Sequence, residues 1–225
     1  MKTLICKVNA EKPEQDIISQ AGKILREGGL VAFPTETVYG LGGNALDAAA
    51  SEKIYAAKGR PSDNPLIVHI ARMEDLEKIV TGVPKKAKIL AEACWPGPLT
   101  MILPKSEKVP YETTGGLDSV AVRYPSHPVA QALILAAGGF VAAPSANTSG
   151  RPSPTTAAHV QEDLTGAVDM ILDGGQVGIG IESTIVDFTE KIPTVLRPGY
   201  ISLEKLKELL GEVKMDKGLL RADAS

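Results

Sequence analysis

The chain has 225 residues, 44% hydrophobic, 23% charged and 4% aromatic, with a formal charge of -3, which excludes disorder, collagen-like repeats and low-complexity scaffolds and leaves room for a core without staples. Mild acidity argues against a surface that grips nucleic acid everywhere, but not against a local basic cleft. No apolar run reaches the roughly 18 residues of a membrane span, and the N-terminus has no apolar h-region or cleavage site, so a cytoplasmic protein without membrane attachment is expected.

Taken in chain order, Ile17, Ile18, Ala21, Ile24 and Leu25 keep helical spacing and predict a helix over residues 13–27, stopped by Gly28-Gly29. Residues 30–33 read as a short buried strand ended by Pro34. Asp47 suits the N-cap of a helix through Ala57 that ends at Gly59. Residues 66–70 then read as a strand, and 73–80 and 85–94 as helices. Strands follow at 99–103 and 119–123, a helix at 128–137 and an extended stretch at 140–143. Residues 155–164 read as helix, 168–172, 183–188 and 194–197 as extended, and 203–210 as a last helix. Helices interleaved with short apolar strands predict an α/β fold, an open twisted sheet covered on both faces. The successive extended segments around 183–197 make that sheet mixed. Residues 1–211 form the expected domain, and the polar stretch 212–225 reads as a linker or tail without a core-forming element.

Cys6 and Cys94 stand alone, without C-x-x-C spacing, and read as small buried hydrophobes. His69, His127 and His159 lack metal-ligand spacing, so no protein metal site is expected. Chemistry concentrates where predicted strands end, the place where open α/β sheets build their sites. Pro34-Thr35-Glu36-Thr37-Val38-Tyr39-Gly40-Leu41-Gly42 offers hydroxyls, a carboxylate and glycines, although a solvated turn would look similar. Lys58-Gly59-Arg60-Pro61-Ser62-Asp63-Asn64-Pro65 holds two cations in a proline-stiffened loop suited to phosphate or carboxylate.

In the stretch from Ala142 to Ser153, six of twelve residues are Ser, Thr, Asn or Arg, a supply of groups for anion or ribose binding. The glycines in Asp173-Gly174-Gly175-Gln176-Val177-Gly178-Ile179-Gly180-Ile181-Glu182-Ser183-Thr184 let backbone approach a ligand. This is neither a P-loop nor a Rossmann fingerprint, because no G-K-[ST] and no helix follows. Arg123 and Arg197 each close a predicted strand. No hydrolase triad or H-E-x-x-H signature accompanies them. The inventory suits a nucleotide and a small anionic substrate held in line, with positioning and charge stabilisation as the main catalytic means.

Together, Lys58-x-Arg60 and Ser145-x-Asn147 resemble the signature of the YrdC-like threonylcarbamoyladenylate synthases. The flanking Pro34-Thr35-Glu36-Thr37, Asn64-Pro65-Leu66, Trp95-Pro96-Gly97-Pro98-Leu99-Thr100, Arg123-Tyr124-Pro125 and Ser183-Thr184-Ile185-Val186-Asp187 extend the resemblance over roughly residues 15 to 200. It implies a YrdC-like fold with a deep basic cleft. The implied reaction converts L-threonine, bicarbonate or CO2, and ATP carried with Mg2+ into L-threonylcarbamoyladenylate and pyrophosphate. A separate transferase would then modify adenosine 37 of tRNA; whether this chain itself contacts tRNA is left open.

The resemblance assigns Thr37, His69, Arg123, Ser183 and the Ala143 carbonyl to the threonine pocket, with Arg123 on the carboxylate. It assigns Lys58, Arg60, Asn64, Ser145, Asn147 and Arg197 to ATP or the adenylate, with Ser119 and Ser153 at its edge. Lys58 and Arg60 are the expected catalytic cations. His69 is the only nearby base, although a pocket wall suits it better. Two other readings share these residues. One is a carbamoyl-adenylating domain of a carbamoyltransferase, for which the isolated cysteines are a poor match. The other is a non-catalytic RNA-binding module, which would want interleaved aromatics. The family also has longer two-domain members, and the chain's last residues are compatible with either a short member bearing a tail or a longer one cut in its linker.

Overall fold

The structure, a computed structural model, describes residues 1–222. Its elements in chain order are β1 (Leu4–Lys7), α1 (Gln15–Arg26), β2 (Val31–Pro34), β3 (Tyr39–Asn44), α2 (Ala48–Lys58), β4 (Ile67–His69) and α3 (Leu76–Ile79). Next come α4 (Lys85–Cys94), β5 (Leu99–Pro104), α5 (Tyr111–Thr114), β6 (Ser119–Arg123), α6 (Pro128–Ala136), β7 (Val141–Ala142) and α7 (Ala157–Leu164). The chain continues through β8 (Met170–Asp173), β9 (Thr184–Asp187), β10 (Thr194–Arg197), α8 (Leu203–Leu210), β11 (Lys214–Met215) and α9 (Lys217–Ala222). A 3-10 turn at Met73–Asp75 leads into α3.

The strands join in the order β1-β8-β2-β3-β7-β4-β6-β5-β9-β10-β11. Parallel pairs (β1 with β8, β4 with β6, β5 with β9) stand beside antiparallel ones (β2 with β3, β5 with β6, β9 with β10), so the sheet is mixed as the sequence implied. The strand period of two divides its residues between two layers. Val31 and Phe33 of β2, Val141 of β7, and Met170 and Leu172 of β8 face the layer where α1 lays Ile18, Ala21 and Leu25 and α6 lays Val129, Leu133 and Ile134. Ala32, Ala142 and Ile171 face the opposite core, which also takes Val68, Met101, Val122 and Val186 from β4, β5, β6 and β9. Leu90 of α4, Val160 of α7 and Leu206 of α8 close that side. Each large aliphatic side chain buried this way contributes about 1.5–3 kcal/mol.

Several local outcomes differ from the sequence reading, among them short helices at Tyr111–Thr114 and Lys217–Ala222. Residues 39–44, expected within a loop, form β3, because pairing with β2 on one side and β7 on the other supplies what a glycine-rich segment lacks in propensity. Leu4–Lys7, not singled out as structure, adds an edge strand beside β8. The stretch beyond Gly211 is not a plain linker, since Lys214–Met215 pairs in parallel with β10 and Val213 is buried against the α8 side of the core. Two paired residues are too few for alternation to be read. Residues 223–225, the end of the expected tail, lie outside the described residues.

Candidate active site

Four neighbouring strands carry the floor of a cleft. His69, Arg123, Thr100 and Ile185 stand opposite one another across β4, β6, β5 and β9, and Ile67, Ala121 and Ile102 form the next row. The residues between them, Val68, Val122, Met101 and Val186, point the other way into the core. One alternating pattern therefore builds core and floor together. The walls are Thr35, Thr37 and Val38 from the β2–β3 turn, Ala143, Pro144 and Ser145 after β7, Arg60, Asn64 and Pro65 after α2, and Glu182, Ser183, Leu196 and Arg197 from β9 and β10.

Local chemistry fixes each wall. In the β2–β3 turn the Thr35 hydroxyl donates to the Val38 carbonyl at 2.7 Å and accepts from the Thr37 and Val38 amides at 3.2 and 3.3 Å, a side-chain turn of the kind threonine favours. α2 starts on Asp47, whose carboxylate accepts from the Ala49 amide at 3.0 Å, and stops at Gly59 with φ +62°, which turns the chain between Lys58 and Arg60. Arg60 thereby reaches the cleft rim, where it donates to the Asn64 and Pro65 carbonyls at 3.1 and 2.8 Å. The loop after β7 is held by backbone bonds from Leu41 to Pro144 and from Ala146 to Tyr39, both 2.8 Å.

Lys58, expected on the substrate's phosphates, ends α2 just before this rim. It is buried, does not line the cleft, and donates to the backbone carbonyls of Ser145 and Asn147. Burial first, and then the Arg60 charge, lower its pKa to about 8. Asn147 is also buried; its amide donates to the Thr148 and Arg151 carbonyls, while its Oδ1 has no hydrogen-bond partner. Asp163 of α7 accepts from the Thr148 amide at 2.9 Å and pairs with Arg151 at 2.6 Å, which pins the far side of this loop.

Arg123 is 4% exposed. Its Nη1 donates to the Thr37 hydroxyl at 3.0 Å and its Nη2 to the Glu36 carboxylate. Burial lowers its pKa and the Glu36 charge opposes that shift. Arg197 donates to the Ser183 carbonyl at 3.0 Å, to the Ser183 hydroxyl at 3.2 Å and to Glu182 at 3.1 Å. Ser183 in turn meets the buried Thr100 hydroxyl at 2.7 Å. His69 shares a 3.0 Å contact between its Nδ1 and the Ile67 carbonyl and lies edge-on to Phe33. Burial and then the neighbouring Arg123 charge push its pKa down to about 3. It is a neutral wall of the pocket and a very weak base.

Of the residues expected at the site, Thr37, Arg60, Asn64, His69, Arg123, Ala143, Ser145, Ser183 and Arg197 line this one cleft. Lys58 and Asn147 brace its loop from beneath. Ser119 and Ser153 do not join them. Ser119 begins β6 opposite Pro104, four residues and about 13 Å of strand from Arg123. Ser153 borders a separate hollow with Arg151, His159 and Asp163. Sequence reasoning assigned no role to Glu36, Thr100, Asp163 or Glu182, although the polar loops around Glu36 and Glu182 and the motif ending in Thr100 gave a signal for all but Asp163.

Residues 23–199 match the Sua5/YciO/YrdC family model, described as "Telomere recombination". A threonylcarbamoyl-AMP synthase of Pyrococcus abyssi is 54% identical over 95% of this chain and 62% of its own length. One from Bacillus subtilis is 54% identical over 90% of this chain and 59% of its own. The crystal structure of Pyrococcus abyssi Sua5 complexed with L-threonine is similar at a TM-score of 0.94 and 53% identity, covering 97% of this chain and 64% of that one. The chain thus spans about three fifths of the length of these relatives. With the mixed sheet, the alternating floor and the Lys58-x-Arg60 and Ser145-x-Asn147 loops meeting around one cleft, the match over residues 23–199 establishes that this chain belongs to the Sua5/YciO/YrdC family.

Proposed function

We propose that this chain is a cytoplasmic, ATP-dependent synthase that makes L-threonylcarbamoyladenylate and pyrophosphate from L-threonine, bicarbonate or CO2, and ATP. Its product would serve a separate transferase acting on adenosine 37 of tRNA. The observation that carries this reading is the meeting of two sets of side chains over one floor. Arg123, Thr37, His69, Ala143 and Ser183 line the same cleft as Arg60, Asn64, Ser145 and Arg197, and Arg197 joins the two sets by donating to Ser183. The names of the curated relatives and the threonine complex of the Pyrococcus abyssi relative support the same reading.

In this reading the Arg123 guanidinium takes the threonine carboxylate, since a planar fork suits a planar anion. The α-amine, once neutral, attacks the bicarbonate carbon to give a carbamate and water. A carbamate oxygen then attacks the α-phosphorus and pyrophosphate leaves. His69 serves as a wall rather than as the base, because its buried imidazole stays neutral, with a single ring N–H, above about pH 3 and accepts a second proton only weakly. Arg60 faces the developing phosphate charge, and Lys58 keeps Ser145 and Asn147 in place beneath it. Three cations, Arg60, Arg123 and Arg197, line the cleft against one carboxylate, Glu182, a balance that favours an anionic nucleotide.

Among the described residues no three His, Cys, Asp or Glu side chains gather as a metal cage. A Mg2+ here would be carried by the triphosphate itself, as Mg2+ commonly is. The ion would supply charge neutralisation on the phosphates. The test is pyrophosphate release by the purified chain with threonine or bicarbonate omitted in turn. Release that requires both is expected; release that ignores threonine, or none at all, would overturn the proposal.

A further inference from the structure

We infer that Glu36, a residue behind the cleft wall, is the positioning residue for Arg123 and so sets the affinity for the amino-acid substrate. The inference rests on the synthase reading for the identity of that substrate and on geometry for the rest. Glu36 does not line the cleft, whereas Arg123 and Thr37 on either side of it do. Its carboxylate is used on both oxygens. Oε1 accepts from Arg123 Nη2, and Oε2 accepts from the Ser126 amide and the Ser126 hydroxyl, each at 2.6 Å. Ser126 follows Arg123 by three residues, so the carboxylate closes a ring onto the chain that leaves β6.

This ring and the Thr37 hydroxyl together fix the guanidinium. One hydrogen of Nη1 goes to Thr37 and one of Nη2 to Glu36, while Nε points at the Gly97 carbonyl at a long 3.5 Å. Each terminal nitrogen keeps one hydrogen, and these two are what a carboxylate entering the cleft can take. The side chains of Arg123 and Glu36 are only 5% and 14% exposed, so loss of one partner leaves a largely buried charge on the other. The backbone shares the load, as the Glu36 carbonyl accepts from Ile179 at 3.2 Å and the Thr37 carbonyl from Gly180 at 2.9 Å. These bonds tie the backbone of Glu36 and Thr37 to the Ile179–Gly180 segment.

The experiment measures threonine binding by titration calorimetry and threonine-dependent pyrophosphate release for the wild type, Glu36→Gln, Glu36→Asp and Ser126→Ala. Glu36→Gln keeps the shape and removes the charge; about a tenfold weaker threonine Kd and an equal rise in threonine KM are expected, with ATP KM unchanged. Glu36→Asp keeps the charge and recovers part of the loss. Ser126→Ala removes one of the two Ser126 donors and weakens threonine about two- to threefold, which decides the matter if Glu36→Gln does not fold. Unchanged or tighter threonine binding in Glu36→Gln, or in Ser126→Ala where only that variant folds, would overturn the inference, tighter binding meaning that Glu36 competes for the guanidinium. An equal rise in ATP KM would overturn it too, as a general loss of structure. A wild type that binds threonine but releases no pyrophosphate would defeat the synthase reading while leaving this comparison intact.

Discussion

His69 shows how one residue's surroundings decide its role. Its imidazole is buried beside Arg123 and against Phe33, and is neutral in the fold down to about pH 3. The unfolded imidazole protonates near 6.5, so between those values the unfolded state binds the extra proton. Stability from this group is therefore present above pH 6.5 and falls as pH drops toward 3, by up to about 1.4 kcal/mol per pH unit. His69→Gln is expected to flatten that part of the thermal midpoint against pH; an unaltered acid limb would show that His69 does not set it. The loops bearing Arg60, Arg123, Ser145 and Ser183 were legible in the sequence because side-chain type and strand ends announce them. That Lys58 turns inward to two carbonyls, or that Glu36 backs Arg123, was not, because both depend on segments 87 residues apart meeting in the fold.

At the scale of elements, the turn after β10 is pressed against the start of β9. A Cβ on Gly199 would stand 2.6 Å from the Glu182 carbonyl oxygen and the Thr184 amide nitrogen. These are backbone atoms and cannot swing aside as a side chain would. Gly199→Ala is expected to cost about 1–3 kcal/mol of stability and to disturb Arg197 and Ser183 together, raising the KM for ATP. A melting curve and an ATP titration read both effects, and a variant unchanged in either would show that the turn yields freely. The longer helices were legible to within two residues, as α1, α2 and α4 show, since apolar spacing, the Asp47 cap and the glycine stops are local, whereas the short α5 and α9 were not. β3 was not, because Tyr39-Gly40-Leu41-Gly42-Gly43-Asn44 owes its strand geometry to its neighbours rather than to its own propensities.

For the whole molecule, the end of the sheet is a test of how far the core extends. Ending the chain at Gly211 would strip Val213 from the core and β11 from β10. The expected loss is about 2 kcal/mol or more, a fall of about 4–8 °C in the thermal midpoint. The cleft floor on β4, β5, β6 and β9 should keep its substrates. An unchanged midpoint would mean that β11 bears no weight.

The shared alternation of floor and core has a further consequence, for quality control. A strand of this sheet that pairs one residue out of step turns Arg123 into the apolar layer and Val122 out to the solvent. A buried guanidinium and an exposed valine row are both costly, so the mispaired chain is unstable and sticky rather than quietly inactive. The same side chains that await the substrate thus discriminate against wrongly assembled copies before any substrate arrives, and correct pairing and a working floor become a single condition.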